Sequence, residues 1–273
     1  RTGICARHLA KEETTTSMAA KAARKALRKA GVDASEVELV IVATITGDTD
    51  TPSTACKVQA QIGADHAVAF DINAACSGFL YGLHVADAFF KSGIYKNALV
   101  IGAESLSKIV DWTDRGTCVL FGDGAGAAFL TASEEGGILS QSVGSNGEKW
   151  EVLSCPKGGY LQMNGQEVFK FAVRTVPLCV EDALEKAGMK ADDVDLFLLH
   201  QANVRILQSV AKRLKQPEEK FPMNMNECGN TSAASLPILM AQLDEQGRFH
   251  RGNKVVLSGF GAGLTWGACV IEW

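Results

Sequence analysis

The chain has 273 residues, 47% apolar and 21% charged, with a formal net charge of −4. That length supports one large core or two, and the mild acidity lacks the basic excess that marks nucleic-acid binders. No apolar run is long enough to cross a bilayer, so neither nucleic acid nor a membrane is an expected partner.

The chain opens Arg1-Thr2-Gly3, with no initiating methionine and no signal peptide, and reads as if cut from something longer. The first amphipathic pattern runs from Ser17 to Ala30, with Met18, Ala22, Ala23, Ala26, Leu27 and Ala30 on one face and Lys21, Arg24, Lys25 and Arg28 on the other; Gly31 ends it. The apolar run Val37–Ile45 predicts a strand and leads into a threonine-rich loop with Pro52. Val68 to Asn73 is a second apolar run, and from Phe79 to Phe90 the sequence is apolar on every side until Gly93, which predicts a fully buried helix with His84 inside it. Asn97–Gly102 predicts a buried strand, and Gly122 to Gly126 turns into another at Ala127–Leu130. Alternation of helices and strands makes the chain α/β.

The second half echoes the first. Gly31 followed by Leu39-Val40-Ile41-Val42 reappears as Gly188 followed by Leu196-Phe197-Leu198-Leu199, a shift of 157 residues, and the same shift carries Leu99–Gly102 onto Val256–Gly259. Two matches at one long offset indicate duplicated halves packed about a pseudo-two-fold axis, not a solenoid of short repeats.

Eight cysteines are scattered without a C-x-x-C or Cys/His ligand spacing, which argues against zinc and a secreted disulfide framework and for a reducing, cytoplasmic setting. One stands out. Cys76 sits where the second apolar run gives way to the buried helix, and the free N–H groups and positive macrodipole end there are expected to lower its pKa, while burial acts in the opposite sense. Alone, such a cysteine reads first as a small buried hydrophobe. Among five histidines only His200 ends an apolar strand, at the sheet edge where α/β proteins collect their sites. The cluster Glu227 to Ser235 opens the second half's counterpart of the buried helix, because the shift carries Cys76 onto Ala233. Asn230 would then border the same crevice, although a cap or turn asparagine is the simpler reading of it alone.

Together these segments resemble β-ketoacyl-acyl carrier protein synthase III, the initiating condensing enzyme of type II fatty-acid synthesis in the thiolase-fold superfamily. The resemblance rests on Arg1–Ile4, Asp71–Phe79, Asp114–Thr117, Phe121–Ala127, Asn164–Lys170, His200–Asn203, Gly229–Ser235 and Phe260–Gly267. It implies a thiolase-like fold of two duplicated α/β halves in an αβαβα layering, residues 1–140 carrying the cysteine and 141–273 the histidine and asparagine. It further implies a Cys76/His200/Asn230 site. There the thiolate of Cys76 takes an acyl group from acyl-CoA, the N–H groups of Cys76 and Ala262 hold the oxyanion, and His200 and Asn230 stabilise the enolate formed when malonyl-acyl carrier protein loses carbon dioxide. No metal or organic cofactor is required.

The helix after His200 is expected to dock an acidic carrier protein through Arg205, Lys212 and Arg213, and the resemblance adds Lys170. It also implies that Arg1 and Arg115 hold the CoA nucleotide, that Thr51 borders the acyl pocket, and that the chain forms a homodimer. Family members normally have some thirty or more residues before Arg1, a longer loop between Gly159 and Tyr160, and commonly a glycine at the position of Ala262, and this sequence departs from them at all three. The glycine-rich Gly122–Gly126 and Gly259–Gly263 lack phosphate-loop spacing and read as tight turns. The alternatives are a related condensing enzyme making a polyketide, a thiolase, a hydroxymethylglutaryl-CoA synthase, a non-catalytic carrier-binding paralogue, and a papain-like cysteine hydrolase, whose cysteine context is absent.

Overall fold

The computed structural model describes residues 2–273. In chain order the elements are α1 (Thr15–Ala30), β1 (Leu39–Ala43), α2 (Thr54–Ile62), β2 (Val68–Ile72), α3 (Gly78–Lys91), β3 (Asn97–Ser105), β4 (Asp123–Thr131), β5 (Gly137–Ser145), β6 (Leu153–Ser154) and β7 (Gln162–Met163). They continue with α4 (Gly165–Lys186), β8 (Leu196–Leu199), α5 (Val204–Arg213), α6 (Met225–Cys228), α7 (Ser235–Glu245), β9 (Lys254–Gly261) and β10 (Thr265–Glu272).

The strands make two four-stranded sheets, ordered β2-β1-β3-β4 and β5-β10-β9-β8, with β6 and β7 as a separate ribbon. In the first sheet β1 lies parallel to β2 and β3, and β4 is antiparallel to β3; in the second, β8 and β9 are parallel and β10 runs antiparallel to both β9 and β5. Strands β1 and β8 are buried throughout, so their sequences are continuous apolar runs without alternation. The chain changes sheet between Thr131 and Gly137, so residues 137–140 already pair in the second sheet.

Helices α1 and α2 pack on the outer face of the first sheet, α4 and α5 lie on the outer side of the second, and α3 and α7 contact strands of both. The result is the expected αβαβα layering. The 157-residue shift carries the first residues of β1, α3 and β3 onto those of β8, α7 and β9. It also carries the 3-10 turn Ala75–Ser77 onto Ser232–Ala234, and the first residue of each turn has a left-handed φ, 46° at Ala75 and 50° at Ser232. The duplication therefore extends to backbone strain.

Two local differences from the sequence reading have identifiable causes. Helix α1 begins at Thr15 because the side chain of Thr14 accepts from Ser17 N–H, while the carboxylate of Asp48 accepts from the N–H groups of Thr15 and Thr16. Helix α3 is not buried all round. Phe79, Leu80, Leu83 and Ala86 face the core, but His84 and Ala88 form an exposed stripe at i, i+4.

The halves meet closely where side chains are absent. A Cβ on Gly102 of β3 would lie 2.2 Å from the carbonyl oxygen of Ala233, and one on Gly261 of β9 would lie 2.6 Å from the backbone nitrogen of Cys76. These glycines allow each half's central strand to reach the other half's turn.

Candidate active site

Cys76 lies in the turn 75–77 immediately before α3, buried at 8% exposure. The strand-to-turn entry is fixed across the molecule by Thr265, whose hydroxyl is 3.0 Å from the carbonyl oxygens of Ala74 and Ala262 and 3.2 Å from Ser77 Oγ. This one hydroxyl ties the cysteine turn to the bend that carries Ala262. Ala262 itself is half-buried and directly follows Gly261, whose backbone abuts Cys76.

His200 follows β8 and is 2% exposed. Its backbone N–H donates to the carbonyl of Ser258 at 2.8 Å, its Nδ1 lies 2.7 Å from Ser235 Oγ, and the ring of Phe260 meets the imidazole edge-on with centroids 5.5 Å apart. Gly259 separates the histidine from the cysteine: a Cβ there would stand 3.3 Å from His200 Cβ and 3.7 Å from the carbonyl oxygen of Cys76. The structure thus brings Cys76 and His200 together where Gly259 has no side chain.

Asn230 is buried, and its backbone is held by two hydrogen bonds of 2.9 Å, its N–H to the carbonyl of Leu120 and its carbonyl to the N–H of Gly122. Its Oδ1 accepts from Ser232 N–H at 2.9 Å. With the amide oxygen engaged, Nδ2 is the group left to donate elsewhere. The turn reading and the site reading of Asn230 are therefore compatible, since the local bond orients the amide.

Burial sets the charge states. The Cys76 thiol is pushed up to about 12 by burial, with the neighbouring Glu104 carboxyl adding to the rise and Ser232 opposing it. The lowering expected from the helix N-terminus is overturned, because a desolvated thiolate costs more than the adjacent N–H groups recover. The same burial takes His200 down to about 4, so the imidazole is neutral at physiological pH. Glu104, which sequence reasoning missed, is the penultimate residue of β3 and has no exposure; burial raises it to about 7 against donors at Thr46, Ile45 and Thr44. The Ser232 hydroxyl is buried without a partner at bonding geometry, although it faces both the thiol and the Glu104 carboxyl.

The remaining candidates are on the surface. Arg205, Lys212 and Arg213 are exposed along α5, whose Leu207, Val210 and Ala211 face inward, and none of the three forms an ion pair among the described residues. Lys170 is exposed and paired with Glu167 at 2.8 Å. Arg115 is exposed in the turn after Asp114, and Thr51 is exposed in the loop between β1 and α2. Arg1 lies outside the described residues. No group of three or more His, Cys, Asp and Glu that could hold a metal occurs among the described residues, and no helix there is long and apolar enough to cross a membrane.

Comparison with known proteins places this geometry. Models of the 3-oxoacyl-[acyl-carrier-protein (ACP)] synthase III family match at residues 70–147 and, for the C-terminal part, 184–273. A β-ketoacyl-[acyl-carrier-protein] synthase III from Aquifex aeolicus is 50% identical over 274 residues, which span 100% of this chain and 89% of that protein. A crystal structure of 3-oxoacyl-[acyl-carrier-protein] synthase III from the same organism superimposes with a TM-score of 0.98 at 50% identity, over 100% of this chain and 89% of that one. The priming β-ketosynthase of the R1128 polyketide pathway is similar in fold, TM-score 0.95, but 36% identical, over 100% of this chain and 86% of that one.

The raised thiol pKa predicts how Cys76 alkylates. Labelling by iodoacetamide, followed peptide by peptide by mass spectrometry from pH 6 to about pH 10, should climb with pH at Cys76 without levelling off, because the thiolate fraction keeps growing below its pKa. A plateau by pH 7 or 8 would contradict the raised value.

Proposed function

The chain belongs to the 3-oxoacyl-[acyl-carrier-protein] synthase III family, and on that premise we propose that Cys76, His200 and Asn230 divide a decarboxylative Claisen condensation between them. As a member of the family the chain is a condensing acyltransferase that initiates fatty-acid biosynthesis. In the proposed division the Cys76 sulfur attacks the thioester carbonyl of an acyl-CoA, CoA leaves with a proton, and the acyl group stays on the sulfur. The N–H groups of Cys76 and Ala262 stabilise the tetrahedral oxyanion. Malonyl-acyl carrier protein then binds with its thioester oxygen toward His200 and Asn230 and loses carbon dioxide; the enolate carbon attacks the acyl-cysteine carbonyl, the bond to sulfur breaks to give β-ketoacyl-acyl carrier protein, and the Cys76 thiolate released takes a proton from solvent.

The observation that carries this reading is the way the two donors are held. Asn230 has its oxygen tied to Ser232 N–H, and His200 has one ring nitrogen tied to Ser235, so each presents its remaining nitrogen while both stay neutral. Neutral donors suit an enolate that forms as carbon dioxide departs, since they stabilise new negative charge without first attracting the malonyl carboxylate. A thiol-activating base role for His200 fits poorly with a ring held near 4. The polyketide alternative is disfavoured by the lower identity of the R1128 enzyme. The chain divides functionally near residue 140, the first half bringing the nucleophile and the second the two donors.

Around this centre, Arg115 and Arg1 are assigned to the CoA nucleotide, Thr51 to the rim of the acyl pocket, and Arg205, Lys212, Arg213 and Lys170 to an acidic carrier protein. We assign a homodimer. Strand β2 ends its sheet, Val68 on it is 47% exposed, and its unpaired edge is one that a second copy would cover. All eight cysteines are free thiols, as suits the cytoplasm.

Three outcomes test these assignments. Intact-mass measurement after mixing with a panel of acyl-CoAs should show a covalent acyl adduct in the wild type and none in Cys76→Ala; an adduct that survives the substitution would sink the acyl-enzyme assignment. Charge reversal at Arg205, Lys212 and Arg213 should raise the KM for malonyl-acyl carrier protein and weaken its salt dependence while acyl-CoA priming stays nearly unchanged, and equal loss in both steps would argue against docking there. Sedimentation at micromolar concentration should give twice the chain mass, whereas a monomer would remove the edge-strand argument.

A further inference from the structure

A neutral imidazole has one N–H, and which nitrogen carries it decides whether His200 can donate toward the substrate or only accept. The ring is buried and its Nδ1 is 2.7 Å from Ser235 Oγ, a contact compatible with either tautomer. Two features of the surroundings choose between them. Ser235 is the first residue of α7, its own N–H donates to the carbonyl of Ser232, and its buried hydroxyl has no hydrogen-bond partner among the described residues other than His200 Nδ1. If the imidazole donated to it, the hydroxyl proton would be buried with no acceptor, a cost avoided when the hydroxyl donates to Nδ1. The positive end of the α7 macrodipole also opposes an imidazole N–H pointed into it, and favours a nitrogen lone pair there.

We infer that Ser235 is a positioning residue: its O–H donates to His200 Nδ1, which leaves the single ring proton on Nε2 and so makes the free face of the ring a hydrogen-bond donor. The backbone bond from His200 N–H to the Ser258 carbonyl fixes the main chain, the edge-on ring of Phe260 packs against the imidazole, and Ser235 holds its tautomer. Asn230 is treated the same way by Ser232 N–H two residues after it, so one segment, Ser232 to Ser235, orients both donors. This extends the functional reading, because a donor at Nε2 is what the enolate step requires. Ser235 touches no reacting atom in this account, and acyl transfer to Cys76 does not depend on it.

The test is Ser235→Ala, which removes the hydroxyl and adds no bulk, with Ser235→Thr as the variant that keeps it. Nitrogen-15 spectra of histidine-labelled protein, with the His200 signals identified by their loss in His200→Ala, report the tautomer without any substrate. In the wild type and Ser235→Thr the Nε2-protonated form should predominate, and in Ser235→Ala the two forms should mix. Malonyl decarboxylation should fall about tenfold in Ser235→Ala, short of the hundredfold or more typical of deleting an oxyanion-type donor outright, with acylation by acyl-CoA within about twofold of wild type. An unchanged tautomer in Ser235→Ala, or equal losses in acylation and decarboxylation, would overturn the role. Failure of the wild type to decarboxylate malonyl-acyl carrier protein would instead strike the functional reading, and the spectra would still decide the tautomer.

Discussion

Everything at this site depends on how closely the backbones of the two halves approach each other. The turn 75–77 and its counterpart 232–234 meet around Gly102 and Gly261, at each of which a Cβ would come within 3.0 Å of the opposing half. At Gly102 and Gly261 the obstacle is backbone, which cannot move aside as a flexible side-chain end can. A methyl group at either position would push the halves apart and open the space between Cys76 and His200, at an overpacking cost of about 1–3 kcal/mol. The duplication supplies the two turns, and the glycines let them touch.

Close approach excludes water, and the loss of water sets the chemistry. The same burial that leaves the imidazole neutral also makes the resting thiol reluctant to ionise. In the proposed reaction the sulfhydryl stays unreactive until an acyl thioester occupies the site, where the N–H groups assigned to the oxyanion, those of Cys76 and Ala262, would act on charge as it forms. Glu104 fits the same pattern: its buried carboxyl collects Thr44, Ile45 and Thr46, the residues after β1 that lead to the Thr51 loop.

What could be read from the sequence follows the range of the interactions involved. Strands β1, β3, β8 and β9 were legible because a strand buried on both faces must be an unbroken apolar run, and the 157-residue echo exposed the duplication and the pairing of the two turns. His200 was visible as a polar residue closing such a run. Glu104 lies one residue inside the end of β3 and escaped notice because the expected strand stopped at Gly102. The sign of the Cys76 shift was not legible, since it depends on how completely distant segments cover the thiol. Nor was the exposed stripe of α3 around His84, because an apolar helix in sequence does not reveal which flank is left open. Ser232 and Ser235 lay inside a cluster already singled out, but only the fold shows that one orients Asn230 and the other His200.

The central claim is that acyl transfer and enolate formation use different residues. Asn230→Ala separates them most directly, because Asn230 has no part in activating the thiol. Single-turnover acylation by acyl-CoA and decarboxylation of malonyl-acyl carrier protein would be measured separately on protein whose folding has been checked. Decarboxylation should fall on the order of a hundredfold to a thousandfold while acylation stays within a few-fold of wild type. A fall in acylation as deep as that in decarboxylation would contradict the division of roles.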